Sequence, residues 1–150
     1  GLKILENLDI SMNLANLIEN RVFLSMKRLK FLNLRNNKIE IIEEFGFEDL
    51  LSLENLDLGF NKLERLNTLI FKDTKRLKFL SLEKNRIASI QDGIFNGLTK
   101  LTTIELNDNK LSFLNENVFG GLIELKELYL QRNQISSIDR SVFLNLGQLN

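Results

Sequence analysis

The chain has 150 residues, no cysteine or histidine, and 20 acidic residues against 20 basic ones. The missing cysteine excludes disulfides and zinc–thiolate sites, and the missing histidine removes the commonest general base of enzymes. The balanced charge creates no overall field that favours nucleic acid or an anionic membrane, and no apolar run is long enough to span a bilayer.

A pattern of 24 residues recurs six times without insertion or deletion. Counted from the first residue of each unit, positions 1, 4, 6, 11 and 14 are apolar, position 9 is asparagine and position 19 is phenylalanine. A fixed period of this length predicts a solenoid in which each unit packs on its neighbours. The units are 5–28, 29–52, 53–76, 77–100, 101–124 and 125–148.

These units are expected to form a single array over residues 1–150. Residues 1–4 fit the end of a preceding unit, and residues 149–150 fit the start of a seventh. Neither end has the polar outer face that a capping repeat needs. We therefore expect a fragment of a longer protein, without caps, whose exposed ends fray and self-associate.

Each unit is predicted to begin with a short strand. In the fourth unit, Leu80 and Leu82 fall on one face by the two-residue period of a strand. Phe79, Ser81 and Glu83 then point outward, towards solvent. Stacking the units aligns these strands into a parallel sheet.

Asparagine at position 9 follows the strand, where the chain turns away from the sheet. Its amide is both donor and acceptor, so it can satisfy buried backbone groups of its own repeat and of the next one. Because Asn85 has neighbours on both sides, we expect it to stabilise the fold more than Asn133 does. The ladder consists of Asn13, Asn37, Asn61, Asn85, Asn109 and Asn133.

Phenylalanine at position 19 is predicted to close the far side of each unit. Stacking brings the rings into one aromatic spine opposite the sheet, where each buried ring contributes roughly 1.5–3 kcal/mol. The spine consists of Phe23, Phe47, Phe71, Phe95, Phe119 and Phe143.

The fifth unit reads Leu101-x-x-Ile104-x-Leu106-x-x-Asn109-x-Leu111-x-x-Leu114, followed by Phe119 and Leu122. This string resembles the leucine-rich repeat, in the typical subclass found in Toll-like receptors, small leucine-rich proteoglycans, Slit-type proteins and variable lymphocyte receptors. The resemblance covers all six units. It implies an α/β horseshoe solenoid with a parallel sheet on the concave face and irregular or 3-10 segments on the convex face. It also implies an extracellular location and ligand recognition by the concave side or a flank.

A second period lies inside the first. The string KRLKFL at 27–32 returns at 75–80, and LENLD at 5–9 returns at 53–57. Several matching residues occupy positions that the framework leaves variable, which indicates that a block of two units was duplicated. Drift of the composition towards lysine, asparagine and glutamate is the alternative.

Positions 3, 5, 7 and 8 of each unit are predicted to face the concave side or its rim. They bring three phenylalanines onto neighbouring strands, and exposed aromatic residues flanked by charge are typical of interface anchors. Single exposed rings are also ordinary on protein surfaces. The predicted partner site consists of Phe31, Phe60, Phe79, Arg35, Glu83 and Lys84, with Tyr129 and Arg132 as a second patch.

Position 10 is basic in four consecutive units, which would suit an anionic partner such as a sulfated glycan. Carboxylates at Glu40, Glu64 and Asp108 are expected to screen these cations, so an ordinary surface is the favoured interpretation. The stripe consists of Lys38, Lys62, Arg86 and Lys110.

The sequence predicts an interaction module, not an enzyme, with no catalytic, metal or cofactor residues. Carboxylates such as Asp9 and Asp57 would lie two strands, roughly 10 Å, apart, and on an open, wet sheet the pKa of neither would move far enough for catalysis. We expect part of a receptor-type or secreted ectodomain, as in innate immunity, that binds a protein or an anionic glycan and contacts neither nucleic acid nor membrane. A structural or adhesive matrix protein and a cytosolic scaffold are the alternatives.

Overall fold

The computed structural model describes residues 2–144 and 146–149. These residues form a solenoid of about six turns, one turn for each repeat of the sequence. The predicted solenoid with its parallel sheet is confirmed. The described ranges contain no helix, and therefore none that could cross a membrane.

Ten short strands follow one another along the chain. They are β1 (Asn7–Asp9), β2 (Leu17–Ile18), β3 (Phe31–Asn33), β4 (Ile41–Ile42), β5 (Asn55–Asp57), β6 (Phe79–Ser81), β7 (Thr103–Glu105), β8 (Phe113–Leu114), β9 (Glu127–Tyr129) and β10 (Ser137–Ile138). The main sheet is parallel and has the order β1-β3-β5-β6-β7-β9. Its register is constant, because each residue pairs with the residue at the same position of the next repeat, as Leu32 does with Leu56.

One face of the main sheet forms the wall of the core. The middle residues of the four inner strands, Leu32, Leu56, Leu80 and Ile104, are all 0% exposed. The opposite face, which we call the concave face, carries the polar and aromatic side chains. Each turn therefore divides its side chains between core and surface, as the two-residue period of a strand requires.

The far side of each turn is irregular and closes by backbone bonds between residues three apart. In the fourth turn, Leu98 N donates to Phe95 O at 3.1 Å and Leu101 N donates to Leu98 O at 3.0 Å. Spine rings stack here at centroid distances of 6.2–6.4 Å in four consecutive pairs, from Phe23 to Phe119. Phe143, the last predicted member, is 40% exposed.

Asparagine amides connect each turn to the one before it. The Asn85 amide nitrogen donates to Leu82 O of its own turn at 3.1 Å and to Leu58 O of the preceding turn at 3.0 Å. The amide oxygen accepts from Leu63 N, also in the preceding turn, at 2.9 Å. The prediction that the amide reaches the next repeat was therefore wrong in direction.

This direction changes which ladder residues are alike. Asn133 accepts from Leu111 N at 3.0 Å and donates to Leu106 O at 2.9 Å, so it also connects two turns. Asn13 is exposed, and among the described residues its amide bonds to backbone carbonyls of its own turn alone. Asn13, and not Asn133, is therefore the ladder residue that differs from the others, because Asn133 still bonds to the turn that precedes it.

Candidate functional site

The concave face presents two groups of side chains. The first, which we call the amide–ring row, lies at position 3 of the first four turns: Asn7, Phe31, Asn55 and Phe79. The second, which we call the arginine cluster, lies at the ends of the strands of turns two to four and just beyond them: Arg35, Asp57, Phe60, Glu83 and Lys84.

Arg35 lies at the centre of the arginine cluster. Its guanidinium nitrogens contact Asp57 at 3.4 Å and form an ion pair with Glu83, two turns further on. Gly59 occupies the intervening turn, and a Cβ built there would lie 2.8 Å from Arg35 Nη1 and 3.1 Å from Glu83 Cγ. Because Gly59 has no side chain, the Arg35 side chain has room to pass over the third turn and reach Glu83 in the fourth.

Phe60 is held between cations from the turns on either side of it. Its ring centroid lies 4.2 Å from Arg35 Cζ, in the turn before, and 4.3 Å from Lys84 Nζ, in the turn after. Each such contact contributes from about 0.5 to about 2 kcal/mol, depending on solvent exposure. The ring is half-buried, so these contacts fix it in place before any partner arrives.

The backbone at position 8 of every turn is left-handed, with φ between 48° and 57°. Such values are unusual for residues other than glycine, asparagine and aspartate, and a bulky residue such as Phe60 is strained there. The conformation turns these side chains out of the strand direction and onto the rim of the concave face. The column consists of Met12, Asn36, Phe60, Lys84, Asp108 and Arg132.

Hydrogen bonds extend the arginine cluster towards the last turn. Asn107 donates to Glu83 at 3.1 Å and to Asp108 at 2.8 Å. Partial burial would raise the pKa of Glu83, but the hydrogen bonds from Arg35 and Asn107 outweigh burial and lower it. Arg132 binds Asp108 through two nitrogens, and this bond, with that from Asn107, lowers the pKa of Asp108 to about 2.

The structure brings half of the predicted partner residues together. Arg35, Phe60, Glu83 and Lys84 meet in the arginine cluster. Phe31 and Phe79 lie apart from it in the amide–ring row. All three phenylalanines are half-buried instead of fully exposed.

The second predicted patch is divided as well. Tyr129 lies at the end of β9 with 39% of its surface exposed, whereas Arg132 is paired with Asp108 of the preceding turn. Ser81, predicted to face solvent, is 0% exposed, and its hydroxyl finds no hydrogen-bond partner among the described residues. Its short side chain lies below the longer ones of its strand neighbours Asp57 and Glu105.

Sequence reasoning missed four residues that complete the network: Asp57, Gly59, Asn107 and Asp108. A signal was present in the column at position 7, where the only glycine stands between Arg35 and Glu83. An ion pair can span one turn when the two charged residues lie two turns apart and the residue between them has no side chain.

The basic stripe lies on the flank of the solenoid. Lys62 contacts Glu40 at 3.2 Å, whereas the other three cations of the stripe have no carboxylate within 4 Å in the described ranges. Lys62 and Arg86 line an open groove of about 660 Å³ together with Arg65, Glu40 and Glu64. The groove opens where the paired flank strands β2-β4 and β8-β10 leave the third and fourth turns unpaired.

Residues 2–144 and 146–149 contain no candidate metal-binding site. They hold no group of three or more acidic side chains arranged to bind an ion.

Comparison with known proteins shows which family and which solved structures this chain resembles. The family model described as leucine rich repeat matches residues 3–63, 28–87 and 75–135. No curated protein matches the chain significantly. Among solved structures, TLR13 in its complex with ssRNA13 is 31% identical with a TM-score of 0.92, over 97% of this chain and 20% of that one. Toll in the Toll–Spatzle complex from Drosophila, in glycosylated form, is 27% identical with a TM-score of 0.89, over 96% and 19%.

The leucine-rich repeat domain of APL1 is a further neighbour, 25% identical with a TM-score of 0.90, over 99% of this chain and 38% of that one. The chain thus spans about a fifth of the TLR13 and Toll chains. One of these complexes contains single-stranded RNA, so the expectation that nucleic acid is excluded as a partner gains no support from them.

Proposed function

Because this chain belongs to the leucine-rich repeat family, we propose that it is a non-catalytic interaction module whose concave face binds a protein ligand. We place it in a receptor-type or secreted ectodomain, outside the cell or at its surface. Its likeness to Toll, described in complex with Spatzle as a hub of development and innate immunity, supports both parts of the proposal.

One observation carries the proposal: the arginine cluster is already ordered in the free chain. Phe60 is fixed by two cations, and Arg35 is fixed by Asp57 and Glu83. Binding normally costs about 0.5–1.5 kcal/mol for each flexible side chain that it immobilises. An aromatic ring and an arginine that are held in advance avoid much of that cost, and both residue types dominate binding hot spots.

The size of the face favours a protein. Six strands about 4.8 Å apart make a sheet roughly 25–30 Å across, enough for a footprint of about 800 Å². A small molecule would need a closed cavity to bury most of its surface, and the open sheet provides none in the described ranges.

Charge also favours a protein over a nucleic acid. The concave columns carry six carboxylates against three cations, so a polyanion would meet net repulsion there. The carboxylates are Asp9, Asp57, Glu83, Glu105, Asp108 and Glu127, and the cations are Arg35, Lys84 and Arg132. A partner with surface lysine or arginine would complement them.

Photo-cross-linking in the intact protein tests the location. A benzoyl-phenylalanine replaces Phe31 on the concave face or Phe113 on the flank, which is 48% exposed. We expect a protein to be captured from the Phe31 position and not from the Phe113 position. Capture from Phe113 alone, or of RNA alone from Phe31, would contradict the proposal.

A matched pair of glycine variants then tests the arginine cluster. Gly59→Ala places a methyl group in the path of Arg35, whereas Gly147→Ala meets no atom within 4 Å. Because neither glycine has a positive φ, both variants should fold. Affinity for the captured protein should fall by about 2 kcal/mol in Gly59→Ala, as for a central interface residue, and not in Gly147→Ala. Equal affinities would refute a role for the cluster.

A further inference from the structure

The amide–ring row repeats itself every two strands. Asn7 pairs with Phe31, Phe31 pairs with Asn55, and Asn55 pairs with Phe79 in the parallel register. Amide and ring therefore alternate along the solenoid axis. Two equivalent positions are separated by two strand spacings, about 9.6 Å.

The surroundings of the row repeat with the same period. Lys30 Nζ contacts Glu6 at 2.9 Å, and Lys78 Nζ contacts Glu54 at 2.8 Å, at equivalent positions two turns apart. Both lysines are neutralised by a glutamate of their own block. The same lysine–glutamate contact therefore recurs beside the row every two turns, and Glu6 is also 3.7 Å from Arg28.

Both asparagines of the row are free to bind. The side-chain amides of Asn7 and Asn55 make no hydrogen bond to any described residue, unlike those of the ladder. Phe31 and Phe79 are half-buried and show part of each ring to solvent. The row thus offers unused hydrogen-bonding groups between apolar surfaces.

The spacing selects one peptide conformation. A polyproline II helix has three residues per turn and rises about 3.1 Å per residue, so its side chains recur every ~9.3 Å. An extended strand repeats every ~6.7 Å, which misses the second ring. An α-helix repeats its apolar face every ~5.4 Å, which places an apolar side chain on the Asn55 amide. Of these three repeats, that of polyproline II lies closest to the ~9.6 Å between the two rings.

We infer that the amide–ring row binds a proline-rich peptide segment in the polyproline II conformation, lying across the strands. The inference rests on the proposed function and names the chemistry of part of the partner. Every third residue of the segment packs on Phe31 or Phe79. Backbone carbonyls of polyproline II have no internal partners, so they accept hydrogen bonds from Asn7 and Asn55.

Two ten-residue peptides of identical composition provide the probe. One carries proline at every third position, and the other carries the same prolines at every second position. Binding to the chain within the intact protein is measured by fluorescence anisotropy. We expect the period-three peptide to bind about tenfold more tightly or better, because it alone places apolar residues on both rings.

A double variant that keeps the composition of the row provides the sharpest control. Phe31→Asn with Asn55→Phe moves the rings to adjacent strands, about 4.8 Å apart. This variant should lose the preference for period three, whereas Phe113→Ser on the flank should keep it. Urea unfolding midpoints of both variants show that any loss reflects the surface and not the fold.

Three outcomes would overturn the inference: equal binding of the two peptides, a preference that survives the ring shift, or no peptide binding at all. Displacement of the period-three peptide by single-stranded RNA, with the rings required for the RNA, would replace it with a nucleic-acid site. The proposed function is judged separately by Gly59→Ala, which leaves the row untouched. If Gly59→Ala loses the partner and the peptide tests fail, the proposed function stands and only the inference of a proline-rich segment is overturned.

Discussion

Replacing Asn85 with alanine strands one buried backbone donor. Leu63 N donates to the Asn85 amide oxygen at 2.9 Å and has no other acceptor among the described residues. Leu63 is 0% exposed, so water cannot take over the bond. Three carbonyls lose the Asn85 amide nitrogen, and each keeps another donor. Leu58 O and Leu82 O keep the amide of a neighbouring ladder residue, and Glu83 O keeps Phe60 N. The cost is therefore dominated by a single group.

An unsatisfied buried donor costs about 1–3 kcal/mol, which is the loss expected for Asn85→Ala. Asn133→Ala removes the acceptor of Leu111 N in the same way, and Leu111 is also 0% exposed, so a similar loss is expected. Asn13→Ala strands no buried donor, and its effect should stay within about 0.5 kcal/mol.

Urea denaturation followed by circular dichroism measures all three variants under the same conditions. Repeat arrays need not unfold in one step, so amide exchange at Leu63 is measured in parallel and should accelerate in Asn85→Ala. A loss in Asn133→Ala as small as that in Asn13→Ala would refute the backward-reaching ladder. So would three equal losses.

Two further predictions concern the spine and the acid end of the pH range. Phe71→Ala, between two stacked neighbours, should lower the free energy of unfolding by about 3–5 kcal/mol in chemical denaturation. Phe143→Ala should lower it clearly less, because the Phe143 ring is 40% exposed. Equal losses would contradict the stacked spine. Because the folded pKa of Asp108 is depressed to about 2, the stability it supplies is complete above its unfolded pKa near 4 and is lost as the pH falls towards about 2. Arg132→Gln should flatten this part of the profile of urea midpoint against pH, and an unchanged acid profile would refute the assignment.

The framework of the fold could be predicted because stacking demands the same residue type at the same place in every unit. Leu32, Leu56 and Leu80 share one position of the repeat, and the register pairs them directly. The direction of the asparagine amide could not be predicted, since its donor and acceptor suit groups on either side equally well.

The candidate site was harder to predict for two physical reasons. A flexible arginine can reach several acceptors, so the choice of Glu83 by Arg35 depends on a gap at Gly59 that appears only when the turns are stacked. The flank strands add a second reason. Ser137–Ile138 forms a strand, whereas residues 89–90 with the same two residue types do not, so residue type alone does not decide the pairing.

At position 8 of each turn, the left-handed backbone conformation does not depend on which side chain the turn presents to solvent. Methionine, asparagine, phenylalanine, lysine, aspartate and arginine occupy this position with nearly the same φ. The backbone therefore keeps one shape whatever side chain it carries, although the conformational cost is lower for asparagine and aspartate than for a bulky residue. Randomising these six positions would create a library of recognition surfaces on an unchanged scaffold. Neighbouring positions of the column lie about 4.8 Å apart, so the varied side chains would form one continuous surface.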